Sequence, residues 1–334
     1  MTDSKRRIEW VDAAKGIGIL MVMFGHNWLD NRYCYWFYSF HMPLFFLLAG
    51  VTFSDRRTPV DFVWHKAKCL LVPYLFFMVC NLAFRSVLSY SHGDDYDIVS
   101  DFLGFVLQQR YNYLWFLTTL FLSEILVYIL SRCGFLKEKK VCTGGVLVLV
   151  VLHAIGVQTG CINYVWNIDL VPMASAYIIL GKFYNRESQH WFIEKNNKNK
   201  LIVMVVLFLL SIFVATINYT GWGNVDIFRS NYGSLPLFYV AAISATYAVV
   251  LLLKLVRISR LLLFLGVNSL LYYGLHRMVI EILFVVWGKL GVVYDKVSLY
   301  SVAIASLNVV LTVVILCPVV IFIKKRCPWV IGKF

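Results

Sequence analysis

The feature that most restricts this chain is a succession of apolar blocks, each about long enough to cross a bilayer as a helix. A spanning helix needs roughly 20 apolar residues, because backbone N–H and C=O groups cannot go unpaired in hydrocarbon. Ten such blocks occur, over residues 12–31, 34–54, 68–89, 112–131, 142–158, 165–184, 201–219, 235–254, 268–287 and 299–323. The pattern predicts an all-α polytopic membrane helix bundle of about ten transmembrane helices. Composition agrees, since 60% of the 334 residues are apolar and only 15% are charged, against about a quarter charged in a soluble domain. Those proportions also exclude a disordered or collagenous chain. No internal repeat or low-complexity linker interrupts the blocks, so residues 1–334 read as a single integral-membrane domain.

The formal charge of +13 lies in short clusters between the blocks. That is the pattern of cytoplasmic loops in a polytopic protein, not of a nucleic-acid surface. With the N-terminus placed inside, 24 of the 31 Lys and Arg residues fall on the cytoplasmic side. The seven others are Arg32, Arg85, Arg110, Arg229, Arg277, Lys289 and Lys296. A bias at every alternate loop implies an even number of spans with both termini cytoplasmic. The N-terminal segment is basic, then apolar, without a small-residue cleavage site, and reads as a retained first helix. The eight cysteines show neither a CxxC pair nor metal-ligand spacing, so no metal site is expected. Cys34 and Cys161 both fall near the outer face, yet no disulfide between them is expected. The acidic outer loop SHGDDYDIVSDF reads either as a solvated connection or as part of an acceptor-binding surface.

Ionisable groups inside the membrane are costly and are functional candidates by default. The first block carries Asp12, Lys15 and His26. His26 follows Lys15 by eleven positions, about three turns and some 16 Å along a helix. The two face the same way at different depths and do not touch, with Lys15 near the cytosolic interface and His26 in the outer half. Asp12 and Lys15 are placed to pair, either as an interfacial anchor with a snorkelling lysine or as part of a site. His26 is either a helix-packing histidine or a chemical centre. His41, opening the second block at similar depth, either forms a proton-handling pair with His26 or caps its own helix. Lys66 and Lys68, with Arg56, Arg57 and His65, fit positive-inside anchoring or a cradle for a phosphate-bearing cofactor. Glu124 is mid-span and needs a partner or a wet cavity. Arg85 either snorkels or faces an anionic acceptor. In the ninth block Asn268 precedes His276, a lone imidazole, while Arg277 and Glu281 are spaced to pair with each other. His153 reads as packing.

The runs WVDAAKGIGILMVMFGH, FHMPLFFLLAGVTF, KAKCLLVPYLFF, YLWFLTTLFL and LGVNSLLYYGLH occur in that order. Together they resemble the integral-membrane acyltransferase family 3, closest to its fucose 4-O-acetylase-like branch. The resemblance covers essentially the whole chain, and the first three runs are its specific part. It implies a ten-helix membrane O-acyltransferase, most simply an O-acetyltransferase, in the plasma (inner) membrane of a bacterium. Such an enzyme takes an acyl group from cytosolic acetyl-CoA, as co-substrate, to a hydroxyl of a cell-envelope saccharide. The family's first span carries an Arg, ten residues and a His. Here Lys15 stands at the Arg position, and His26 matches the His. The family's Arg-x-x-Arg in the first cytosolic loop has no literal match, so Lys66 and Lys68 take its place as donor-binding residues beside Lys15. The resemblance thus implies His26 as general base or transient acyl carrier, assisted by His41. Asp12, Arg85, Trp115, Glu124, Asn268 and His276 are left as substrate-binding or supporting residues. A transporter or flippase for an envelope saccharide or lipid-linked precursor is the second reading. Against it stands the absence of a pseudo-repeat with broken helices in two halves.

Overall fold

The computed structural model describes residues 8–93, 95–194 and 196–333. Lys5, Arg6, Arg7 and Lys195, counted above as cytoplasmic, lie outside the described residues, as do the side chains of Lys139 and Arg186. Among the described residues there is no strand, and the chain is an all-α polytopic helix bundle. Each predicted block contains a helix. The main helices are α1 (Glu9–Gly25), α2 (His41–Val51), α3 (Val72–His92), α4 (Trp115–Arg132), α5 (Lys139–Gln158), α6 (Val171–Glu194), α7 (Asn197–Trp222), α8 (Leu235–Leu255), α9 (Ser269–Lys289) and α10 (Leu299–Arg326). Among the described residues, seven helical stretches are long and apolar enough to cross a membrane: Pro59–Ser91, Trp115–Arg132, Lys140–Gln158, Asn197–Trp222, Leu235–Leu255, Ser269–Lys289 and Leu299–Arg326. α1, with 17 residues, is about 25 Å long, and α2 is shorter still.

Several predicted blocks begin or end differently in the structure, among them the sixth, where Val165–Leu170 forms a 3-10 stretch before α6 runs on to Glu194. The first closes at Gly25, and Asn31–Tyr33 forms a separate 3-10 turn. The second splits into a turn at Tyr35–Tyr38 and α2. The third starts early, at Pro59, where the Thr58 hydroxyl accepts from the Asp61 N–H and caps the helix. That helix runs into α3 through a wide π turn at Ala67–Leu71. Pro73 follows at once, and a proline lacks the N–H and crowds the carbonyl four residues back. A widened turn at that point absorbs the mismatch.

The described residues form two compact units. One comprises 8–48, Asn185–Asp226 and Asn231–Leu316, and the other Ala49–Tyr184, Ile227–Ser230 and 317–333. In the first, α1 packs along the short helix Arg260–Val267 and against α8 and α9. Close approach of α1 to that helix depends on Gly266, where a Cβ would run into the Asp12 carbonyl. α7 and α8 pair through a buried small-residue stripe on α8, Ala241, Ala245 and Ala248, the usual means of close packing in lipid. The outward face of α7 is apolar, with Leu201, Val205, Leu209 and Phe213 exposed. α10 has its polarity inverted in the same way. Ser301, Asn308 and Thr312 are fully buried, while Leu307, Val310 and Val314 are exposed. Such a surface is a liability in water and is required against hydrocarbon. In the second unit α4 presents a buried polar stripe, Thr118, Thr119, Ser123 and Glu124. Gly50 meets the Ile178 backbone of α6 too closely for a side chain.

Candidate functional site

In the first unit, the site begins at the end of α1. His26 lies just past the last helical residue, its N–H donating to the Val22 carbonyl at 3.2 Å. The expectation that His26 sits within the first span is corrected to the turn that closes it. Asn27 accounts for this. Its Nδ2 donates to the Met23 carbonyl at 2.8 Å and ends the helix. Trp28 follows in the left-handed region, φ 58°, and turns the chain away. Asn27 Oδ1 accepts from Asn308 Nδ2 at 2.8 Å, and Asn308 Oδ1 accepts from Trp287 Nε1 at 2.7 Å. The Tyr294 hydroxyl donates to the Asn27 carbonyl. Asn27 and Asn308 are both fully buried, so the turn bearing His26 is tied to α9 and α10 by satisfied polar groups.

The His26 ring meets His276 edge-on, with centroids 4.9 Å apart. Arg277 Nη1 stands 3.3 Å from His26 Nδ1. The same guanidinium donates through Nε to Glu281 Oε1 at 2.9 Å and lies over the Trp28 ring at 5.3 Å. The expected Arg277–Glu281 pair therefore forms, but Arg277 also reaches the histidine, which the sequence reading did not anticipate. The only signal for it was an arginine adjoining the lone His276.

These contacts define protonation. A guanidinium only donates, so His26 Nδ1 accepts and the neutral ring carries its proton on Nε2. His276 Nδ1 faces the Tyr272 and Tyr273 carbonyls at 3.0 and 2.8 Å. Carbonyls only accept, so His276 is the Nδ1–H tautomer with a basic Nε2. His41 is the same tautomer, with Nδ1 on the Phe37 carbonyl at 2.7 Å. His41 thus caps the preceding turn, and it also meets Tyr38 edge-on at 5.3 Å. The Tyr38 hydroxyl donates to the Gly25 carbonyl at 2.8 Å. Lys15 and Asp12 are half-buried on α1. Asn268 links the helix Arg260–Val267 to α9, its Nδ2 donating to the Phe264 carbonyl at 2.7 Å.

The remaining expected residues lie in the second unit. Lys66 Nζ donates to Glu124 Oε1 at 2.5 Å, which supplies the mid-span carboxylate with its partner. Lys68 lies over the Trp64 ring at 5.3 Å. Arg85 Nη1 donates to Asp101 at 2.5 Å and to the Tyr111 hydroxyl at 3.1 Å. Trp115 is buried at the start of α4, its ring edge-on to Phe116. In the loop before Pro59, Lys182 Nζ donates to Asp55 at 2.8 Å. Lys182 and the Ser131 hydroxyl hold the Asp55 carboxyl down at about 2.

A further node in this unit escaped the sequence reading. Buried Arg110 donates to Asp169, to Asn167 Oδ1 at 3.2 Å and to Ser230 Oγ at 2.5 Å. Arg110, Asn167 and Ser230 all have positive φ, 52°, 54° and 54°. Partners 57 to 120 positions apart leave no local trace in a sequence.

A family model described as an acyltransferase domain, that of acyltransferase family 3, matches residues 8–323. No curated protein and no solved structure matches the chain.

Proposed function

Because the chain belongs to acyltransferase family 3 and is a membrane acyltransferase, we propose that it transfers an acetyl group from acetyl-CoA to a hydroxyl of a cell-envelope saccharide, with His26 as the general base. The observation that carries the reading is the His26 turn. It holds an imidazole by a buried asparagine network while leaving its Nδ1 facing the Arg277 guanidinium instead of a backbone carbonyl. His276 and His41, by contrast, each commit Nδ1 to the backbone. Of the three rings, His26 is the one whose Nδ1 faces a side chain instead of a backbone carbonyl.

The donor is polyanionic and cytosolic, so its phosphates belong at the basic cytoplasmic end. Lys15 lies on α1, with Lys66 and Lys68 at the start of the third block, and these are the residues proposed to meet them. Lys66 also holds Glu124, so a phosphate there competes with a carboxylate. His26 removes the acceptor proton as the hydroxyl attacks the thioester carbonyl, in direct transfer. His276 backs the His26 ring, and His41 secures the turn through Tyr38. Asp12 and Asn268 support the packing that orients α1, while Arg85, Trp115 and Glu124 shape the second unit. The family match runs through both units, which supports one acyltransferase domain. We place it in a bacterial inner membrane with both termini cytoplasmic, on the alternation of basic loops.

The test is to incubate membranes containing the protein with radiolabelled acetyl-CoA and purified envelope saccharide. Label recovered on the saccharide as an alkali-labile ester is the expected result. Saccharide movement across sealed vesicles without any ester label would support a transporter and contradict this reading.

A further inference from the structure

We propose that the reacting hydroxyl binds as a bridge between His26 Nδ1 and Arg277 Nη1, so that Nδ1 is the base atom and Arg277 is a second catalytic residue. The inference rests on the acyl-transfer reading above and adds to it the position of the acceptor oxygen.

An alcohol about to lose its proton needs two unlike partners. One must accept the O–H, and the other must donate to the oxygen lone pair as negative charge grows there. His26 Nδ1 only accepts, and the Arg277 guanidinium only donates. They face each other at 3.3 Å, longer than the 2.7–2.9 Å typical of charge-assisted hydrogen bonds. The other arm of Arg277 is the firmer one, Nε to Glu281 at 2.9 Å. The guanidinium is thus anchored on one side and loosely engaged on the side where the oxygen enters. Glu281 also compensates its charge, so that proton uptake by His26 does not place an imidazolium beside an unopposed cation.

The cluster is open to an incoming group. Side-chain exposure is 32% for Arg277 and 29% for Glu281, whereas His276 is fully buried behind the His26 ring. Trp28, 51% exposed, lies against the guanidinium and offers an apolar ring face of the kind sugar C–H groups stack on. The class of acceptor that fits is a neutral alcohol of a pyranose ring.

In the step, the acceptor O–H bond breaks and its proton passes to His26 Nδ1. The oxygen forms a bond to the thioester carbonyl carbon as the C=O π pair moves onto the carbonyl oxygen, to return when the thiolate leaves, while Arg277 Nη1 donates to the attacking oxygen. The C–S bond then breaks, and the coenzyme A thiolate leaves and takes the proton from Nδ1–H, which returns His26 to its neutral form.

Acceptors of graded acidity separate this role from simple ion pairing. Wild type, Arg277→Gln, Arg277→Lys and Arg277→Ala are compared in detergent with acetyl-CoA, the saccharide, ethanol and trifluoroethanol. Arg277→Gln should lower turnover on the saccharide and on ethanol about 10²–10³-fold, as loss of one oxyanion donor does, with the KM for acetyl-CoA unchanged. The loss should shrink with trifluoroethanol, whose oxygen needs less stabilisation. Arg277→Lys should retain part of the rate, and added guanidinium should restore activity to Arg277→Ala even if Arg277→Gln folds poorly. An equal loss on all alcohols, no loss, or failure of both lysine and guanidinium to rescue would overturn the bridging site. Wild type that transfers to none of the acceptors would instead refute the acyl-transfer reading itself.

Discussion

Two polar nodes, one in each unit, are built by opposite means. Around Arg110 the guanidinium is held by side chains from two other parts of the chain. The cation is buried with Asp169, and Asn167 and Ser230 accept from it, and three of the four residues' backbones or neighbours hold left-handed geometry to do so. Around His26 the backbone turn is what is fixed. Asn27 and Asn308 lock the turn, and Nδ1 of the ring meets a partly exposed arginine at 3.3 Å. A buried cation held between segments with left-handed backbone serves to hold loops together. A rigid turn carrying one loosely engaged lone pair is what a reaction requires, since preorganisation and access must coexist.

The largest effect that would sharpen this contrast is on stability. Asp169→Ala leaves a buried guanidinium uncompensated and should cost about 3–5 kcal/mol, read as a lower melting temperature in detergent. Specific activity of the fraction that remains folded should be unchanged. A variant that melts normally yet loses transfer would make the Arg110 node functional and break the comparison.

Next comes packing at the base of the His26 helix. A Cβ at Gly266 meets the Asp12 carbonyl, so Gly266→Ala should push α1 from the helix Arg260–Val267. A destabilisation of about 1–3 kcal/mol is expected for such overpacking, together with a fall in turnover, because α1 carries the His26 turn. Full activity in that variant would show that the placement of α1 is not what sets His26.

The smallest effect is electrostatic. Asp55 is held at about 2 by Lys182 and Ser131, below the ordinary carboxylate value. Its contribution to stability is therefore present above the unfolded pKa and is lost as pH falls through about 2. The Asp55 side chain is 38% exposed, so solvent screening limits the pair to no more than about 1 kcal/mol. Comparing wild type and Lys182→Met by thermal melting at neutral and strongly acidic pH should show a small difference at neutral pH that vanishes in acid.

Much of this was legible in the sequence. Apolar block length located every main helix, because hydrocarbon leaves the backbone no alternative. The intramembrane histidines were legible because each is chemically out of place in its block. Glu124 demanded a partner on the same ground, although its identity as Lys66, 58 positions away, was not readable. What escaped was set by tertiary contact or by single side chains. Asn27 ends α1 within an apolar block, and no periodicity marks that. Arg277 had a local partner at i+4 that explained it fully, which hid its reach to His26 over 251 positions. The Arg110 node combines loops with no shared pattern at all.

The most direct test of the central claim compares wild type with His26→Ala at matched amounts of folded protein, measuring the initial rate of label transfer from acetyl-CoA to the saccharide ester. The account predicts a fall of about 10²–10⁴-fold with the melting temperature little changed. A His26→Ala protein that transfers label at near wild-type rate would contradict it.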